Sequence, residues 1–128
     1  MIEQITQGIR IAVCTYFKGI FYHQKQEKFA FGYHITIENH SNDVVQLQSR
    51  FWTIKDALNN KEYIEGEGVI GKKPVINPGE KHSYHSGCLL NTAFGSMKGY
   101  YNMVNFTSTR KVKVIIPSFK LSAPFALN

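Results

Sequence analysis

Cysteine is scarce: Cys14 and Cys88 are the only two in 128 residues, and they fit no Cys-x-x-Cys pattern. One bridge is open on arithmetic, but a disulfide-rich secreted scaffold is excluded. Long apolar runs are missing as well. No stretch approaches the ~20 residues of a membrane span. The opening residues Met1-Ile2-Glu3-Gln4-Ile5-Thr6-Gln7 lack the basic start and apolar core of a signal peptide. Together these absences predict a reducing, cytoplasmic setting with two free thiols. Acidic residues stop early, because none follows Glu80. Beyond it the only formal charges are Lys81, Lys98, Arg110, Lys111, Lys113 and Lys120, and the whole chain carries +6. Such an asymmetry can mark an anion-binding surface. The cations are spread along the chain rather than clustered in one run, which also fits an ordinary basic bias and gives no reason to expect nucleic acid. Finally, no window of a dozen residues has the period of an amphipathic helix.

What is present is a period of two. The length suits one domain, expected to span residues 1–128, and 43% hydrophobic with 13% aromatic residues is ample for a core. Ile9, Ile11, Val13, Thr15 and Phe17 alternate with smaller or polar neighbours, and Phe29, Phe31, Tyr33, Ile35 and Ile37 repeat the pattern after a polar stretch over 23–28. A third strand follows through Val45, Leu47, Phe51 and Trp52. Asn39-His40-Ser41-Asn42-Asp43, Asn59-Asn60, Pro78-Gly79 and Thr107-Ser108-Thr109 read as turns, and 91–96 as a loop. Strands are expected at 82–86, 97–106 and 111–116, the last ended by Pro117, which cannot donate to a ladder. Many short strands separated by turn signals predict an all-β sandwich or barrel of antiparallel strands.

Gly66-x-Gly68-x-x-Gly71 matches the dinucleotide fingerprint, but its sequel, Lys72-Lys73-Pro74-Val75-Ile76-Asn77-Pro78-Gly79, cannot form the helix that motif needs. Two readings remain. The glycines form an irregular connection at a sheet edge, or successive N–H groups make an anion nest helped by Lys72 and Lys73.

The run from Gly66 to Pro74, followed by Pro78-Gly79-Glu80, Tyr84-His85-Ser86-Gly87 and Gly95-Ser96-Met97-Lys98-Gly99-Tyr100-Tyr101, resembles the signature of the ApaG family. So do Ile116-Pro117-Ser118-Phe119-Lys120-Leu121, Tyr33-His34-Ile35-Thr36-Ile37-Glu38-Asn39 and Leu47-Gln48-Ser49-Arg50-Phe51-Trp52, so that the resemblance covers essentially the whole chain. It implies a fibronectin type III/immunoglobulin-like β-sandwich. It also implies a link to cobalt resistance and magnesium efflux (the alternative name CorD), and relatives that look like protein-interaction modules. By the same analogy pyrophosphate binding would involve Gly66, Gly68 and Gly71.

Other chemistry finds little support. On a regular strand His82 and Cys88 share a face while His85 points away, so His82-x-x-His85-x-x-Cys88 does not converge on a metal, and no metal or cofactor is expected. Ser86-Gly87 or Cys88 beside His85 does not make a triad, and no catalytic residue is assigned. Phe51, Trp52, Tyr84 and Tyr100 read as core aromatics. The expected function is that of a non-enzymatic binding module with a protein partner. The alternative is a phosphate, pyrophosphate or nucleotide ligand held at Gly66, Gly68, Gly71, Lys72 and Lys73. Edge strands need protection, which a homodimer or edge lysines such as Lys111 and Lys113 can provide.

Overall fold

The computed structural model describes residues 1–127. Its strands are β1 (Ile2–Thr6), β2 (Ile9–His23), β3 (Gln26–Asn39), β4 (Val45–Asp56), β5 (Lys61–Glu67), β6 (Val75–Ile76), β7 (Lys81–Leu90), β8 (Phe94–Asn105) and β9 (Arg110–Ser122), before a short 3₁₀ turn, Pro124–Leu127. They form two antiparallel sheets, a four-stranded one in the order β1-β2-β3-β7 and a five-stranded one in the order β5-β4-β8-β9 with β6 added beside β4. The expected β-sandwich is what the chain forms.

Alternation decides which side chains lie between the sheets. Ile11, Val13, Phe31, Tyr33, Ile35 and Ile37 face inward from the first sheet. Leu47, Trp52, Met97, Tyr101, Met103 and Val114 meet them from the second. The Tyr33 and Trp52 rings lie 5.4 Å apart, and Phe119 meets the Trp52 ring edge-on at 5.9 Å and 86°. Each such aromatic pair adds roughly 0.5–1.5 kcal/mol beyond the area it buries.

Two expectations change, and a third segment takes a form left open by the sequence. Through the polar stretch over 23–28, β2 and β3 continue as one long hairpin, turning at Gln24 and Lys25 with φ of 51° and 65°. A primed turn normally advertises itself with Asn or Gly, and neither is present. The loop expected over 91–96 is shorter, because β8 already begins at Phe94. Pro117 does not end its strand. Met97 pairs Phe119 and Gly99 pairs Ile116, so Pro117 and Ser118 together oppose Lys98 in a bulge. A bulge tolerates a missing N–H, and β9 runs on to Ser122.

The Asn39–Asp43 cluster does turn the chain, and its anchor is buried. Asn39 is 1% exposed. Its side-chain nitrogen donates to the carbonyls of Asp43 (2.7 Å) and Ile76 (2.9 Å), and its oxygen accepts from the Ser41 N–H (2.9 Å) and hydroxyl (2.6 Å). All its hydrogen-bonding capacity is used, which is what makes burying an amide tolerable. The turn at Asn77–Glu80 closes with Glu80 N–H on the Asn77 carbonyl at 3.0 Å, with Gly79 at φ 83°. That is the position at which a type II turn asks for glycine.

Candidate functional site

The glycine loop is an excursion from the edge of β4. β5 leaves β4 after Glu67 and β6 rejoins it at Val75. Between them Gly68 N–H donates to the Gln48 carbonyl at 2.8 Å, and Leu47 N–H to the Pro74 carbonyl at 3.1 Å. Both ends are therefore fastened where β4 itself bulges, between Leu47 and Ser49. At the tip Val69 and Lys72 exchange N–H···O bonds of 2.8 and 3.0 Å around Ile70 and Gly71, whose φ values are 48° and 73°. This is the geometry of a two-residue primed turn.

Each glycine has a local cause. Gly66 sits under Arg50, and a Cβ there would lie 2.6 Å from a guanidinium nitrogen. Arg50 Nη1 in turn donates to the carbonyls of Glu67 (3.0 Å) and Gly68 (2.8 Å). Gly68 has φ of 60°, and a Cβ would lie 2.2 Å from the Lys72 carbonyl oxygen. Gly71 supplies the second positive φ of the turn and faces open space.

Gly66, Gly68, Gly71, Lys72 and Lys73 thus share one loop, but most of its donors are committed inside it. The N–H groups of Gly68, Val69 and Lys72 already reach carbonyls. The Lys73 ammonium lies 2.8 Å from the Glu67 carboxylate and holds that carboxyl below its usual range. Left for an anion are the N–H groups of Ile70 and Gly71 and the Lys72 ammonium, which has no ion-pair partner among the described residues. Beneath the loop a cavity of ≈ 190 Å³ is lined by Arg50, Tyr33, Tyr84 and Ser86 among others. Its hydroxyls are matched with protein partners, Tyr33 with Ser86 and Tyr84 with Tyr101. Burial pushes all three tyrosines above their ordinary value.

β7 alternates as expected, with Tyr84 and Leu90 buried, His82 and Cys88 partly buried, and His85 exposed. The His85 ring stacks on His34 at 4.3 Å. Cys88, pushed up to about 12 by burial, and His85 lie on opposite faces and do not form a nucleophile–base pair. Among the described residues no group of three His, Cys, Asp or Glu is placed to hold a metal ion.

The outer face of the five-stranded sheet carries what the sequence reading missed. Trp52 and Tyr84 are core residues, 2% and 9% exposed. Phe51 and Tyr100 are not: they are cross-strand partners on the outer face, with rings 5.2 Å apart, and Tyr63 continues the row 6.1 Å from Phe51. Phe51 directly precedes Trp52, so period two must send them to opposite faces. That signal was legible. Lys98, Lys111, Lys113 and Lys120, scattered in sequence, are all exposed and occupy outward-facing positions of β8 and β9, which gathers them on this same face. The Lys113 ammonium stands 4.0 Å from the centre of the Tyr100 ring. A groove of ≈ 480 Å³ runs between these groups, lined by Phe51, Tyr100, Ile115, Gly99, Lys98 and Lys113 with Gln4, Thr53, Ile116 and Ser118. Among the described residues no carboxylate lines it.

Comparison with known proteins gives consistent matches. The ApaG domain model matches residues 21–105. The protein ApaG of Brucella abortus (strain S19) is 36% identical over 124 residues, covering 97% of this chain and 95% of that one. The protein ApaG of Mesorhizobium japonicum matches to the same extent, 36% over 97% and 95%. Among solved structures, an X-ray structure of a structural-genomics target superposes with a TM-score of 0.87 at 37% identity, covering 91% of this chain and 88% of that one. The putative ApaA protein from Bordetella pertussis gives a TM-score of 0.83 at 31% identity, covering 91% and 94%.

Proposed function

The chain belongs to the ApaG family, and from that premise we propose that it is a non-enzymatic binding module that engages a protein partner through the outer face of its five-stranded sheet. The groove beside Phe51 and Tyr100 carries this reading. It combines an apolar lining with lysines that have no acidic partner among the described residues, on the outer face of the five-stranded sheet. Aromatic side chains framed by charge are the usual anchors of a protein interface. The family's link to cobalt resistance and magnesium efflux then runs through the partner rather than through ions held by this chain. Two free cysteines fit a cytoplasmic setting.

Affinity purification of the tagged full chain from its own host tests the reading. The expected result is a stoichiometric partner recovered by the native chain and lost with Phe51→Ala plus Tyr100→Ala. A bait that recovers nothing under several growth conditions overturns it. Cobalt titration followed by absorbance tests the indirect link, since a saturating d–d band at one equivalent would establish direct metal binding.

Pyrophosphate or nucleotide binding at Gly66–Lys73 is the second reading. The Ile70 and Gly71 N–H groups at the tip of the loop, and the neighbouring Lys72, which has no ion-pair partner among the described residues, favour it. Calorimetry with pyrophosphate decides it: saturable heat lost with Lys72→Ala supports the loop, and no heat at millimolar ligand removes it.

A further inference from the structure

The groove on the outer sheet face has a chemistry that selects among protein partners. Its lining is apolar at Phe51, Tyr100 and Ile115, and cationic at Lys98 and Lys113. Neither lysine has an ion-pair partner among the described residues, and none of the groove's lining residues is acidic. Lys113 lies over the Tyr100 ring, which fixes a charge beside the apolar surface. Two cations flanking an apolar depression are complementary to a carboxylate, an apolar side chain and a second carboxylate in succession. We propose that the groove takes an acidic peptide segment, with one aromatic or aliphatic side chain seated against Phe51 and Tyr100 and Asp or Glu residues beside it meeting Lys98 and Lys113. This rests on the interaction reading above and names the class of partner that reading leaves open.

A single-stranded nucleic acid fits less well. Binding a strand needs a run of parallel ring faces for successive bases, and here Lys113 covers one face of Tyr100 while Phe51 is tilted against it at 34°, which leaves no such run. Glu65 and Glu67 lie on the same outer face, paired across from Phe51 and Ser49. The cationic complementarity is therefore confined to the Lys98 and Lys113 side of the groove, and suits a short acidic segment rather than a long phosphate backbone crossing the whole sheet.

Random dodecapeptides displayed on phage and panned on the full chain test the proposal, with Lys98→Glu plus Lys113→Glu as the counter-selection. The expected pool has one Phe, Trp, Leu or Ile flanked by Asp or Glu. Labelled synthetic copies should bind the native chain about tenfold or more tighter than the double variant, and weaken as salt rises from about 50 to about 300 mM. If the charge-reversed chain does not fold by circular dichroism, Lys98→Gln plus Lys113→Gln replaces it. A pool that is neutral or basic but still loses binding with Tyr100→Ala overturns the acidic specificity and leaves the interaction reading standing. An acidic pool indifferent to both lysines overturns the proposal too. No groove-dependent binder, together with no partner from the host, overturns both. Lysine-dependent binding of oligothymidylate with no peptide recovered overturns the proposal in favour of nucleic acid.

Discussion

The glycine loop and the outer sheet face both carry lysines, and they use them in opposite ways. In the loop Lys73 is engaged by Glu67, and three backbone donors are turned inward. On the face Lys98 and Lys113 meet no carboxylate among the described residues, and Lys113 rests on an aromatic ring. A motif that attracts attention in sequence can be occupied with holding itself together. A set of residues with no motif can be the part of the surface that is available. The difference lies in which groups already have partners.

The sharpest way to break this contrast is at Gly68. Placing Ala there forces a left-handed backbone and drives a Cβ toward the Lys72 carbonyl. We expect a loss of about 3 kcal/mol, read as a lower urea midpoint with an unchanged slope. Gly71→Ala tests the same loop with the steric part removed, because nothing lies near its Cβ position. It should cost only about 1 kcal/mol, the penalty of the left-handed conformation alone. Lys98→Gln with Lys113→Gln should then change stability by less than about 1 kcal/mol in the same assay, since exposed lysines without a carboxylate partner, even with one resting on a ring, contribute little to folding. A large loss there would mean that the face is structural and the contrast false. Last is the Glu67 carboxyl, whose pKa is lowered chiefly by its bond to Lys73. A lowered folded-state value means that the pair contributes at neutral pH, and that the contribution fades as pH falls through that value. Lys73→Ala should move the Glu67 titration, followed by NMR, upward toward an ordinary glutamate, with no measurable change in fold.

Much of the sandwich was readable because burial on one face imposes alternation, and alternation survives without any knowledge of neighbours. Ile9 to Val13 and Phe29 to Ile37 are examples. The Gln24-Lys25 turn was not readable, because its positive φ values are imposed by the pairing of two long strands rather than by residue type. Pro117 misled for a related reason: whether proline ends a ladder depends on whether its own strand can bulge there, and here Pro117 and Ser118 do so opposite Lys98. The candidate face was half legible. Lys111 and Lys113 already shared a side by spacing, but bringing Lys98 and Phe51 to them required the register of β4, β8 and β9. Register is a long-range property, and no local pattern states it.

Gly99 lines the groove at a point where β4 and β8 come so close that an added Cβ would lie 2.1 Å from the Phe51 carbonyl oxygen. Any side chain there would have to push two paired strands apart. Backbone itself therefore forms this part of the lining, and the position is closed to variation that does not first disturb the sheet. The bordering positions Thr53, Lys98, Lys113 and Ser118 carry no such restriction. A lineage that changes partners would keep the same hollow and rewrite its border.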